Sequence, residues 1–133
     1  MALHHHDLCF GCGQTNLFGL MLEVDRAAGD AVAGRSFIKQ DHQGPDRATA
    51  HQGVVAAALC EAMALACGPD ARAATLEVEL VDAAPVGAFL DVQATSGPRS
   101  TELTEANATA SSEGRLVARA RGRFRSEASA GTV

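Results

Sequence analysis

His51-Gln52-Gly53-Val54-Val55-Ala56-Ala57-Ala58-Leu59-Cys60-Glu61-Ala62-Met63-Ala64-Leu65-Ala66-Cys67 is the segment on which the fold turns. After Gly53 it contains neither Gly nor Pro, and its density of Ala, with Val54, Met63 and Leu65 among the larger apolar residues, predicts one helix. Glu61 is the only acidic residue between His51 and Cys67. A helix that is apolar on most sides has to be buried on most sides, so this one is expected at the centre of the molecule. Thr49 is placed to cap its start, and Gly68-Pro69 supplies a common stop.

Strand patterns lie on both sides of it. Leu20–Asp25 and Ala31–Ile38 alternate around the turn signal Gly29-Asp30 and predict a hairpin. Residues 39–50 read as a long exposed loop. Beyond the helix, Thr75–Val81, Phe89–Thr95, Glu102–Ala110 and Leu116–Arg125 predict four strands, divided by Pro85-Val86-Gly87, Gly97-Pro98 and Glu113-Gly114. In the last strand Leu116, Ala118, Ala120, Gly122 and Phe124 alternate with Val117, Arg119, Arg121, Arg123 and Arg125, which gives an apolar face and a mainly basic one. Residues 1–18 show no period and read as an arm or loop, residues 19–125 as a single α+β domain, and residues 126–133 as a fraying tail. Two strands, a helix and four strands make an antiparallel sheet wrapped around one helix. One helix cannot cover six strands, so a homodimer or tetramer is expected.

Composition narrows the function classes. With 133 residues, 47% hydrophobic and 20% charged, the chain suits one soluble domain. No run approaches a membrane span, and a secretion signal is not evident, so neither insertion nor export is expected. Net charge is −5, yet Arg115, Arg119, Arg121, Arg123 and Arg125 concentrate positive charge near the end. Without Trp or Tyr and with five Phe, the chain lacks most of the aromatic platforms of single-strand binders, so nucleic acid is not an expected partner. Cys9, Cys12, Cys60 and Cys67 are too few and irregular for a disulfide scaffold, which suggests a reducing cytoplasm. His4, His5 and His6 read equally as a cloning remnant or as native sequence.

The strand order, together with His51-Gln52-Gly53-Val54-Val55 opening an apolar helix through Ala57-Ala58-Leu59-Cys60-Glu61-Ala62-Met63, resembles the hotdog-fold acyl-CoA thioesterases of the phenylacetyl-CoA and 4-hydroxybenzoyl-CoA thioesterase type. Members commonly carry His-Gly-Gly at the helix start, a stretch like Leu-Leu-Asp-Glu-Ala-Met, and a strand ending in Pro-x-x-x-Gly. Val81-Asp82-Ala83-Ala84-Pro85-Val86-Gly87 is similar to a shortened form of the last. Cys9-Phe10-Gly11-Cys12-Gly13, followed by Asn16 and Gly19-Leu20, is similar to the amino-terminal signature of one subgroup. The resemblance implies a hotdog fold and hydrolysis of an acyl thioester of coenzyme A or of a carrier protein, without a cofactor. It also implies that a backbone amide at the helix start polarises the thioester carbonyl, here that of Gln52 with Gly53 as a second donor, and that a carboxylate about nine residues after His51 acts as base or nucleophile. Cys60 stands at that position, and Glu61 follows it.

The residues constrain these roles. Free N–H groups at a helix start stabilise the oxyanion of acyl transfer, and one such donor contributes about 3–4 kcal/mol. Gln52 and Cys60 are about 12 Å apart along a helix axis, so one carbonyl cannot touch both and the site is expected to span two copies. Cys60 reads as a nucleophile or as buried packing, its thiol raised by apolar surroundings. Glu61 reads as a general base or as the ion-pair partner of an Arg from a neighbouring subunit. His51 is expected to fix the loop before the helix more than to act as a base. Gln43, Asp46 and Thr75 lie where relatives place polar site residues and could orient water. Arg121 and Arg123, with the rest of the basic face, suit coenzyme A phosphates or form a solvated charged surface, and Arg47 and Arg72 are equally open. Cys9-x-x-Cys12 with His4–His6 nearby is compatible with zinc, but four ligands at known spacing are needed, so no metal is assigned and an arm covering an acyl pocket serves as well. A non-hydrolytic acyl-thioester binding protein is the alternative function, and a zinc-dependent interaction module a third.

Overall fold

The computed structural model describes residues 2–99 and 102–126. Its elements are β1 (Glu23–Arg26), β2 (Ala31–Phe37), a short 3-10 turn (Gln40–His42), α1 (Gln52–Cys67), β3 (Ala71–Leu80), β4 (Phe89–Arg99), β5 (Thr104–Ser112) and β6 (Arg115–Ser126). The six strands form one antiparallel sheet in the order β1-β2-β4-β5-β6-β3. The sheet wraps around the single helix, as the hotdog expectation requires. Because β3 follows α1 in the chain yet sits at the far edge beside β6, the helix carries the chain across the whole inner face.

Burial accounts for the helix's composition. From Ala62 to Cys67 every residue of α1 is buried, whereas Gln52 and Gly53 are exposed and Val54, Ala56, Ala57, Cys60 and Glu61 are half-buried. The carboxy-terminal half thus has no solvent face to pattern, while the amino-terminal half keeps an open side of small residues. Its stop is as expected: Gly68 adopts φ 142°, a region L side chains rarely enter, and its N–H bonds Ala64 O at 3.0 Å. Its start is not capped by Thr49. His51 is the N-cap, and its Nδ1 accepts the Gly53 N–H at 2.8 Å, so an imidazole does the work expected of a hydroxyl.

β3 begins at Ala71 instead of Thr75, β4 runs on to Arg99 and β5 spans Thr104–Ser112, and two further differences have identifiable reasons. The first strand begins at Glu23 because the Leu20 and Leu22 N–H groups bond Phe10 O and Gly11 O, giving those residues to the arm instead of to β2. Both side chains are buried, which produced the strand-like alternation. Val117, read as part of the basic face, is buried, because the β5–β6 register shifts between Ala110 and Ser111 and turns it inward. Beyond it Ala118, Ala120, Gly122 and Phe124 face the core and Arg119, Arg121, Arg123 and Arg125 face out, as alternation requires. Of the tail expected over 126–133, Ser126 closes β6 and the remainder lies outside the described residues.

Candidate functional site

The start of α1 is set by a short braced loop. His51 N–H bonds His42 O at 2.7 Å, Ala50 N–H bonds Ala84 O at 2.8 Å, and Gln43 bridges Ala50. The His51 carbonyl accepts the Val54 N–H at 2.9 Å, the first turn of the helix. The Gly53 N–H, expected from the sequence as a second oxyanion donor, is here donated to His51 Nδ1. The Gln52 N–H has no acceptor among the described residues and lies in the exposed first turn. A single amide at the positive end of the central helix is therefore left for an incoming oxygen. His51 accepts through Nδ1, so in this arrangement its ring serves as a cap.

His42 underlies this loop. It is 4% exposed, its Nδ1 accepts the Lys39 N–H at 3.2 Å, and its Nε2 has no partner among the described residues. Burial, and then the nearby Lys39, lower its pKa below the ordinary 6.5. The folded chain therefore keeps it neutral at pH values where the unfolded chain takes up a proton. Stability is complete above the unfolded value and falls as the pH drops below about 6.5, levelling only under the folded value. Urea unfolding of His42→Asn, which keeps an acceptor near Nδ1, is expected to flatten that slope between pH 7 and 5. An unchanged slope would assign the acid sensitivity to other groups.

In the middle of α1 a second arrangement appears that sequence reasoning did not assemble. Glu61 Oε2 lies 2.8 Å from His5 Nδ1 and 3.4 Å from Cys9 Sγ, and His5 Nδ1 lies 3.6 Å from Cys9 Sγ and 3.5 Å from Cys12 Sγ. Within its own chain, the partner of Glu61 is thus the arm. Glu61 Oε1 accepts no hydrogen bond among the described residues. Gly11 makes the approach possible, since a Cβ there would sit 2.4 Å from Glu61 Cδ. Burial, followed by the influence of Glu61, raises the Cys12 thiol well above its ordinary value. The same two causes raise Cys60, which is half-buried beside the core, so it is a weak source of thiolate.

The remaining candidates divide between the loop and the sheet. Gln43 stands exposed beside the helix start, whereas Asp46 is an exposed turn residue whose Oδ1 accepts the Ala48 N–H at 3.0 Å. Arg47 is exposed in the same turn. Thr75 lies on β3 with its Oγ1 3.3 Å from Arg123 Nε. Arg121 pairs with Glu77 and Arg119 with Glu79 across β3–β6, and Arg115 bonds Asp82 at 2.9 Å. The basic face is thus largely a row of cross-strand ion pairs. Arg72, on β3, is exposed. Two hollows occupy the outer face of the sheet. One of about 930 Å³ includes Ala33, Gln93, Thr95, Asn107 and Thr109, and one of about 490 Å³ includes Thr75, Glu105, Arg121 and Arg123. Neither contains a residue of α1.

No helix among the described residues is long and apolar enough to cross a membrane. No family model and no curated protein matches the sequence. Solved structures do match. The chain is similar over 79% of its length to a mutant of the phenylacetic acid degradation protein PaaI from Thermus thermophilus, with 25% identity, 92% of that chain covered and a TM-score of 0.71. It is similar over 80% of its length to the E. coli PaaI protein from the phenylacetic acid degradation operon, with 14% identity, 80% of that chain covered and a TM-score of 0.72. Zebrafish thioesterase superfamily member 2 is 20% identical over 78% of this chain and 80% of its own, with a TM-score of 0.68. The structural neighbours are therefore thioesterase-superfamily proteins, PaaI-like proteins among them, and the six-stranded sheet with one helix is the fold they share.

Proposed function

We propose that the protein hydrolyses an acyl thioester of coenzyme A or of a carrier protein, in a site that two copies complete. The observation that carries this reading is the unpartnered Gln52 amide at the start of the central helix in a thioesterase fold. The thioester oxygen accepts that N–H. As water adds to the carbonyl carbon, the oxygen gains charge and the amide holds it more tightly, so the transition state is favoured over the bound substrate. The water proton passes to a carboxylate. Collapse of the tetrahedral intermediate breaks the carbon–sulfur bond and releases the thiolate, which is protonated in solvent.

Glu61 is the carboxylate in this scheme, through Oε1, the oxygen left without a hydrogen bond. At about 13–14 Å from Gln52 along the axis, it serves the carbonyl held by the other copy. The edge strand β3 suits such pairing: it is exposed almost throughout, and Leu76, Leu80 and the adjoining Val81 present apolar side chains. The half-buried small residues Ala56 and Ala57 leave room beside the carbonyl for the acyl group. Arg123 pairs with no carboxylate among the described residues and is open to a coenzyme A phosphate, with Thr75 beside it. Four free thiols suit a reducing compartment.

A second reading rests on Glu61 Oε2 being engaged by His5 and Cys9. A carboxylate so occupied and a raised Cys60 thiol leave the pocket equipped to bind a thioester without cleaving it. Chromatographic detection of free coenzyme A from a panel of short, long and aromatic acyl-CoAs separates the two. Hydrolysis predicts turnover that Cys60→Ser retains within about threefold and Glu61→Gln lowers by 10²-fold or more, the scale of a lost general base. Saturable binding with no coenzyme A release would favour the second reading.

A further inference from the structure

We propose that His5 Nδ1, Cys9 Sγ, Cys12 Sγ and Glu61 Oε2 form a four-ligand zinc site that clamps the amino-terminal arm to the middle of α1. The four donor atoms lie within 4.8 Å of one another. A tetrahedral zinc with bonds of about 2.0–2.3 Å sets its ligand atoms about 3.3–3.8 Å apart. Three of the observed separations, 3.4, 3.5 and 3.6 Å, already have that length. The fourth, 2.8 Å between His5 and Glu61, needs to open by about half an ångström to match.

Hydrogen bonding does not account for this convergence. One imidazole nitrogen offers a single donor or a single acceptor, yet His5 Nδ1 has Glu61 Oε2, Cys9 Sγ and Cys12 Sγ around it at 2.8–3.6 Å. A shared cation at the centre gives each contact a role. Two thiolates, an imidazole and a carboxylate form a donor set suited to zinc, whereas magnesium and calcium prefer oxygen alone.

The surrounding backbone is shaped for ligation. Cys9 and Cys12 flank a turn closed by Gly13 N–H to Cys9 O at 2.8 Å, and a Cβ on Gly13 would lie 2.3 Å from Asp7 O. Gly11 admits Glu61, as described above. The His5 N–H points to Cys12 Sγ at 3.1 Å, an outer contact of the kind that stabilises a metal-bound thiolate. His4 and His6 are not part of the cluster. His4 Nε2 lies 3.9 Å from Asp7, and His6 Nδ1 accepts the Leu8 N–H at 3.2 Å. With all four positions supplied by protein, the ion is structural: it fixes the arm instead of activating water.

Zinc held through Oε2 draws charge from the Glu61 carboxylate and weakens it as a base, so an occupied site favours the non-hydrolytic reading, and metal content tests the site without reference to turnover. Protein prepared without an affinity tag or chelator is expected to carry about one zinc per chain by elemental mass spectrometry. Cys9→Ser and Cys12→Ser are each expected to weaken zinc retention at least tenfold in competition with a chelator. Cys60→Ser and the double variant His4→Gln, His6→Gln are expected to retain it. Should the ligand variants fail to fold, cobalt added to metal-free wild-type protein gives a second reading. Strong visible bands of a tetrahedral ion and a thiolate-to-cobalt charge-transfer band are expected. Absence of zinc together with only the weak spectrum of hydrated cobalt would overturn the proposal. So would retention by both cysteine variants with loss in the His4, His6 variant.

Discussion

Replacing Gln52 by Pro is expected to lower hydrolysis of any acyl thioester the protein turns over by about 10²–10³-fold, the scale seen when one oxyanion donor is removed. The substitution is selective because of its place. Gln52 is the first residue of α1, where an N–H makes no intrahelical bond and Pro is well tolerated. The residue before it is prepared as well, since His51 at φ −58° and ψ 136° already has the extended conformation that a following Pro demands. Thermal stability should therefore change little. Gln52→Ala, which keeps the amide and loses the side chain, is the control and should retain most activity. The loss should fall mainly on kcat, because the oxyanion forms after substrate is bound. Equal turnover by the Pro and Ala variants would remove the amide from the mechanism.

The helix was legible in the sequence because its carboxy-terminal half is wholly buried: no surface pattern was needed to place residues 62–67 at the centre, only the lack of polar side chains. The strands were legible by alternation, and that rule failed where backbone partners were not local. Leu20 and Leu22 alternate like a strand but give their N–H groups to the arm, and Val117 turns inward at a register shift that no local residue announces. The cap was missed because a histidine accepting through Nδ1 is a less common solution than the Thr two residues before it. The cluster was half-visible: Cys9-x-x-Cys12 with a nearby His signals ligation, but Glu61 is 52 residues from Cys9 and becomes its neighbour only when the arm folds over α1. A lone carboxylate in an apolar helix was the available sign, and it fits an acid–base role as readily as a ligand.

Phe124→Ala is expected to destabilise the fold by about 4–5 kcal/mol, the upper end for such a truncation, and to lower Tm by roughly 15–20 °C. The reason lies in what surrounds it. Phe124 is the one fully buried aromatic side chain, and it belongs to a core rich in alanine, Ala58, Ala62, Ala106, Ala108, Ala118 and Ala120 among them. The neighbouring Gly122 would place a Cβ 3.0 Å from the Phe124 ring, so the backbone of β6 is shaped around it. Alanine and glycine have no rotamers with which to fill the space left behind, so a cavity here should stay open. Phe89→Ala is the comparison. That ring is 43% exposed and meets Phe37 edge-on at 5.3 Å and Arg35 at 4.3 Å, contacts whose loss should cost about 1 kcal/mol. Urea unfolding measures both, and a similar m value across the set keeps the comparison valid. If the two substitutions cost the same, the alanine-rich core relaxes around a missing ring, and the rigidity argued for β6 is wrong.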